Sequence, residues 1–360
     1  MKKIVFSLCV LACFGCTPSK STSKVEQYPV FIMEWSEYPS WAAFGVAAER
    51  GLVNPKQGGK HGPIEEKWKV DLVFQEADYD TCITLFGSKS CDAVCMTNMD
   101  AVKPSLTRKS VAIMPTSTSD GADACIVVNF TGDVKNPEDV KNFLSKNKTY
   151  GLAKSVSELV FADSLAKIGL NSKDFEFSNM DPAAAAQSLQ TNQANVNSIM
   201  VWNPFVLQTL RTRSDSKVLF SSSDLKEEVI DCMIMGADSL EREGGDRCAC
   251  ALCDCYYQLN KLLADPSVGD EVLVQVGAKF SNLNLEDMKI VVDQTKFFGT
   301  PTKGIEIFKS QLMKDNMEKI LSFCKNNQIS DVLPSVGVDK TANSGEQLIF
   351  TTEFMEKVSN

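Results

Sequence analysis

The 360-residue chain contains one histidine, His61. That scarcity leaves no room for Ser-His or Cys-His nucleophile pairs built in the usual way. The sequence also lacks a Walker-type glycine loop, an HExxH helix and zinc-finger spacing, so no cofactor or resident metal is expected. Positive charge is in deficit: 37 basic against 46 acidic residues give a net charge of -9. Nothing supplies the basic stripe that a phosphate backbone requires, so no nucleic acid is expected. Past the N-terminus no apolar run is long enough to span a bilayer. His61 lies in the polar, glycine-rich stretch NPKQGGKHGPIEEKW and is expected at the surface.

What is present begins at the N-terminus. MKK precedes the apolar run IVFSLCVLACFG, about a dozen residues long and too short for a membrane span. The pattern is similar to a bacterial lipoprotein signal over 1–15, with Cys16 as the lipidated residue and residues 16–27 as a flexible Ser/Thr/Lys-rich tether. Lipidation at Cys13 and an ordinary secretory signal are the alternatives. An exported protein held to the membrane by a lipid anchor is the expectation.

Thirteen cysteines sit awkwardly with export. Cys91, Cys95, Cys125 and Cys232 lie in apolar runs, where cysteine serves as a small buried hydrophobe. No disulfide can be assigned. Cys248, Cys250, Cys253 and Cys255 form a cluster, RCACALCDC, that invites a metal reading. On a helix, however, Cys248 and Cys255 fall about 20° apart while Cys250 and Cys253 point to the opposite side. One zinc cannot collect all four from an unbroken helix, so helix packing is the favoured reading, with a metal or redox role and a local disulfide kept open.

The length suggests about two domains. From Tyr28 the chain alternates β-rich runs (VFIME, KVDLVFQ, DAVCMT, SVAIMPT, ACIVVNF) with helical patterns, and a second series follows (KTYGLA, FEFSN, NSIMVW, KVLFSS) before VIDCMIMG and a mostly helical remainder. Such alternation predicts an α/β fold with parallel sheets. Helix starts are marked at Ser155 or Ser157, at Asp181 before Pro182 and at Asn203 before Pro204.

Three stretches, EWSEYPSWAAFGVAAERGL, DLVFQEADYDTCITLFGSKSCDAVCMTNMDAV and KSVAIMPTSTSDGADACIV, together resemble the solute-binding proteins of ABC importers. The nearest class is the nitrate/sulfonate/taurine and thiamine-precursor group, and local matches point to a subgroup associated with guanidine, urea and amide nitrogen. The resemblance implies a type II periplasmic-binding-protein fold. Each lobe would be a mainly parallel sheet flanked by helices, joined by crossing strands, with lobe one at 28–125 and 230–350 and lobe two at 126–229. It implies a small-molecule solute in the cleft, an ABC permease with a cytoplasmic ATPase as partner, and a monomer. A thiamine-pyrimidine synthase shares the fold, which keeps an enzyme reading in view; the dispersed cysteines and lone histidine argue against it.

Ligands of open α/β sheets bind beyond the carboxyl ends of strands. There the loops carry Glu34, Ser36, Glu37 and Trp41, then Thr97, Asn98 and Asp100, then Asp120 and Asp123, then Ser155 and Glu158, then Trp202. These twelve are the candidate ligand-binding residues, with Lys154 the one cation among those loops. Thr97, Asn98, Asp100 and Ser155 have a competing role as helix caps, Glu37 as a helix-dipole partner, and the two aspartates of SDGAD as turn formers. Carboxylates and rings suit a small cationic or NH-rich nitrogenous solute. A small anion such as a sulfonate or nitrate, and a thiamine-precursor pyrimidine, are the alternatives.

Overall fold

The computed structural model describes residues 27–359 except Ala194 and Lys226. The signal segment, Cys16 and nearly all of the tether lie outside the described residues. Among the described residues thirteen strands form two sheets. β1 (Val30–Trp35), β2 (Asp71–Glu76), β3 (Ala93–Thr97) and β4 (Ser110–Ser119) belong to the first; β5 (Asp123–Val127), β6 (Thr149–Gly151), β7 (Phe177–Asn179), β8 (Ser198–Trp202) and β9 (Lys217–Ser221) form the second. The chain then returns with β10 (Ile230–Gly236), β11 (Thr295–Phe297), β12 (Val336–Val338) and β13 (Leu348–Phe350) to complete the first. The spatial orders are β12-β13-β4-β10-β3-β1-β2, with β11 beside β4, and β7-β6-β8-β5-β9.

Both sheets are mixed. β1 runs parallel to β2 and β3, but β10 is antiparallel to both β3 and β4, and β5 is antiparallel to β8 and β9. The parallel default fails where the chain crosses between sheets: a strand arriving from the other sheet enters from the cleft side and runs against its neighbours. β3, β4, β5, β8 and β10 are buried at every position, as expected of apolar runs covered on both faces.

The helices form where the sequence places them: Val156–Lys167 capped by Ser155, Pro182–Gln190 capped by Asp181, and Phe205–Thr212 with Leu207 N–H donating to Asn203 at 3.3 Å. The cysteine-rich segment is one helix, Gly245–Leu263, wedged among the helices Pro63–Trp68, Gly269–Lys279 and Glu353–Ser359. Partners on several sides bury all four of its cysteines. The ten described cysteines are all free and buried, and among the described residues no three His, Cys, Asp or Glu side chains converge on a metal position.

The insertion between β1 and β2 corrects one expectation. His61 is buried, its ring stacked on Tyr28 at 4.1 Å. The polar loop folds back because Glu65 gathers three backbone N–H groups, from Asn54 at 2.6 Å, Gly62 at 2.7 Å and Leu72 at 3.0 Å. Gly62 makes the fold-back possible: a Cβ there would come within 2.5 Å of the Leu52 carbonyl. No helix among the described residues is long and apolar enough to cross a membrane.

Candidate binding site between the lobes

Two segments carry the chain between the sheets. Asp120–Ala122 links β4 to β5, turning at Gly121 with φ +103°; residues 222–229 link β9 to β10. Ser222 ties them together, its hydroxyl pairing with Ser119 at 2.7 Å and accepting from Gly121 N–H at 2.9 Å. Asn98 clamps the second segment to lobe one, donating to Glu228 O at 3.2 Å and accepting from Ile230 N–H at 3.2 Å.

Against these crossings lies a cavity whose walls include Tyr38, Trp41, Tyr79, Thr97, Asp123, Trp202 and Asp231, with about 20 Å³ of room for the centres of water-sized groups. Four rings form a chain around it. Tyr38 and Trp41 centroids are 4.7 Å apart, Trp41 and Tyr79 stack at 5.6 Å, and Tyr79 meets Trp202 edge-on at 5.8 Å. Each ring is placed by local sequence. Pro39 starts the short helix Pro39–Ala42 that carries Trp41, and the indole N–H is fixed on Thr116 Oγ1 at 3.1 Å. Asp78 caps the helix Tyr79–Gly87, so Tyr79 sits on its first turn. Trp202 ends β8 directly opposite Asp123 on β5.

Three carboxylates serve this cavity. Asp100 stands just behind it, accepting from the Tyr79 hydroxyl at 2.8 Å, the Thr97 hydroxyl at 2.9 Å and, from the other lobe, Val156 N–H at 3.2 Å. Asp231 accepts from Ser117 at 2.5 Å through Oδ2, while its Oδ1 has no hydrogen-bond partner. Asp123 holds its backbone N–H on Ser119 at 3.2 Å, and its Oδ2 is also without a partner. The Tyr38 hydroxyl faces Asp231 and Ser119 without a well-formed bond to either. Burial raises Asp100 and Asp123 to about 6, against hydrogen bonds that pull the other way. Burial likewise pushes Asp231 up, Ser117 opposing and the neighbouring Asp123 adding to the rise. Among the described residues no Lys, Arg or His lines this cavity.

Outside it the cleft opens into a mouth of about 450 Å³ sharing Tyr79 and Trp202 with the cavity and lined by Glu37, Glu76, Asp78, Asp80 and Asp181, again without a basic side chain. Burial raises Glu76 and Asp80, and nearby acids (Glu37 for the first, Asp78 and Asp181 for the second) raise them further.

The twelve candidates from the sequence divide by position. Trp41, Thr97, Asp123 and Trp202 line the cavity. Asp100 organises its wall, Ser36 and Glu37 line the mouth, and Glu37 also accepts from Ser281. Asn98 is spent on the crossing segment. Ser155 caps its helix, and Glu158 turns back to accept Lys154 N–H at 2.7 Å. Asp120 faces the rear of the hinge, paired with Lys296. Glu34 is buried in β1, close enough to Cys82 and Cys91 to raise their thiols. The twelve do not include Tyr38 and Tyr79, which the sequence offers as strand-end rings, and Asp231 is not a candidate at all. Asp231 had a signal: a lone acid inside the apolar run VIDCMIMG.

No family model matches this sequence, and no curated protein matches it either. Solved structures do match in fold. The periplasmic aliphatic sulphonate binding protein SsuA from Escherichia coli is 13% identical over 85% of this chain and 90% of its own, with TM-score 0.64. The alkanesulfonate-binding protein SsuA from Xanthomonas axonopodis pv. citri, bound to MOPS, is 13% identical over 84% and 95%, with TM-score 0.64. The periplasmic nitrate-binding protein NrtA from Synechocystis PCC 6803 is 13% identical over 92% and 89%, with TM-score 0.59. Together they establish the fold, a mixed α/β two-lobed arrangement of the type II periplasmic-binding-protein kind.

Proposed function

We propose that this chain is an extracytoplasmic solute-binding protein of an ABC importer, and that its cleft takes a small nitrogenous solute, cationic or rich in N–H groups. Lobe one, expected at 28–125 with 230–350, hands over to lobe two, expected at 126–229, at the crossing Asp120–Ala122, so that β5 from Asp123 onward counts with lobe two; the captured solute passes to a permease driven by a cytoplasmic ATPase. A lipid at Cys16 holds the protein at the membrane. The protein works as a monomer and catalyses no reaction on its solute. The reading rests on one observation: the cavity beside the crossings is lined by four rings and by two aspartates that each keep a carboxylate oxygen without a hydrogen bond, with no basic side chain among the described residues. Buried acceptors of that kind need donors, and ring faces attract cations.

The second reading, a small anion, is favoured by the solved structures of similar fold, which are sulfonate- and nitrate-binding proteins. A sulfonate or nitrate group in this cavity would meet carboxylates and ring faces, and its charge would go uncompensated. The site therefore speaks for the cation although the relatives speak for the anion. The mature protein is tested by thermal shift against guanidinium, urea, methylammonium, methanesulfonate, nitrate and divalent metals. Stabilisation by the nitrogenous solutes is expected, and stabilisation by methanesulfonate or nitrate alone would establish the anion reading instead. Steady turnover of any organic solute would reject the binding-protein reading.

A further inference from the structure

The two orphaned carboxylate oxygens do not belong to one loop. Asp123 opens β5 immediately after the first crossing, and Asp231 is the second residue of β10, immediately after the second. Asp123 is 2% exposed and Asp231 1%, and both line the same small cavity. Asp231 is held by Ser117, whose hydroxyl engages Oδ2 and leaves Oδ1 as the free acceptor. Asp123 is held through its backbone on Ser119, leaving Oδ2 unpaired. Two residues lining one cavity thus each keep a buried carboxylate oxygen without a well-formed hydrogen bond, and each stands on a strand that directly follows a hinge segment.

We propose that Asp123 and Asp231 form a paired acceptor that selects solutes by their N–H groups, so that the ligand is a primary ammonium, amidinium or guanidinium ion and not a fully methylated or metal cation. The inference rests on the cationic reading above and narrows it. Rings alone cannot make this choice, because attraction to a π face depends on charge and proximity and not on N–H. The orphaned oxygens make it: a donor on each of two sides of the solute pairs both, whereas a cation without N–H leaves both buried acceptors unpaired. Room for only one or two water-sized groups restricts the solute to a few heavy atoms. Because Asp123 stands in the second sheet and Asp231 in the first, one ligand bonded to both also ties the two sheets together. Contacts made to both lobes at once are what shifts a two-lobed protein towards closure.

Isothermal titration of the mature protein with guanidinium, methylammonium, rubidium and tetramethylammonium chlorides, and with sodium methanesulfonate and sodium nitrate, tests the pairing. Guanidinium or methylammonium is expected to bind at least tenfold more tightly than rubidium or tetramethylammonium. Asp123→Asn and Asp231→Asn should each weaken the favoured cation at least tenfold while Asp215→Asn, an exposed acid paired with Arg213, leaves it unchanged. Equal binding of rubidium or tetramethylammonium would overturn the pairing and leave the cationic reading intact. So would unchanged affinity in both cavity variants with native-like melting. Binding of methanesulfonate or nitrate alone, or of nothing in the panel, would overturn both. If a cavity variant does not fold, the order of the four cations on the unaltered protein decides.

Discussion

Asp100, Asp123 and Asp231 are carboxylates taken out of water without a cation beside them, and that has a measurable consequence. Asp100 and Asp123 titrate at about 6 in the folded protein against 3.8 for a free aspartate, burial being the main cause. Between those two values the folded chain holds protons that the unfolded chain has lost. Stability contributed by these groups is therefore present at and below about pH 4 and is lost as pH rises through 6. The solute-free protein should melt at a higher temperature at pH 5 than at pH 7.5, and Asp123→Asn should flatten that slope. A melting temperature that climbs steadily from pH 5 to 7.5 would contradict the assignment. Asp100 supports a second expectation. It joins Tyr79, Thr97 and the other lobe's Val156 N–H, so Asp100→Ala strands two buried hydroxyls and should cost about 2–4 kcal/mol in urea unfolding.

The candidate residues read from sequence divide by where their side chains lie. Trp41, Thr97, Asp123 and Trp202 line the cavity, Trp41 and Thr97 while also bonded to Thr116 and Asp100. Asn98, Ser155, Glu158 and Asp120 follow strands too, but nearby backbone or a lysine takes up their polar atoms. Distinguishing the two groups needs the tertiary contacts, since Lys296 is far from Asp120 in sequence. Asp231 was hidden because a strand buried on both faces looks like pure core, and a single acid within it passes for an exception.

At the scale of elements, strand and helix placement followed from periodicity and caps, whereas strand direction did not. Direction in β5 and β10 is decided by which lobe the chain has just left, information carried by the crossings and absent from any local pattern. The helix Gly245–Leu263 makes the complementary point. Its cysteines read from angular spacing as packing residues, and neighbouring helices do enclose them all. Burial raises the described thiols, Cys125 to about 12 and Cys250 to about 11, and a thiol in that state is a poor nucleophile. In the native protein none of the ten described cysteines should react quickly with an aromatic disulfide reagent, and all ten should react after unfolding in urea. Fast labelling of the native protein, or fewer than ten thiols after unfolding, would show a reactive or bridged cysteine.

At the scale of the whole molecule, the acids of the cleft mouth act before the cavity does. Glu37, Glu76, Asp78, Asp80 and Asp181 come from both sides of the cleft and face the entrance without a basic side chain among them. The nearest lysines, Lys279 towards Glu76 and Lys103 towards Asp80, lower those acids only as lesser influences. A recess lined by one sign of charge between low-dielectric walls focuses the field and raises the local concentration of the opposite ion. That field is screened over about 10 Å at 0.1 M salt, so it works on the approach of a solute more than on its final contacts. The association rate of the bound cation, followed by stopped-flow tryptophan fluorescence, should fall several-fold as salt rises from about 0.02 to about 0.2 M, with the dissociation rate nearly constant. Glu76→Gln combined with Asp181→Asn should slow association at low salt and weaken its salt dependence, because neither side chain lines the inner cavity. An anionic solute would show the opposite sign: association would speed up as salt screens the acidic mouth and would be faster in the double variant. The sign of that one slope reports the charge of the solute as it enters, independently of which atoms hold it inside.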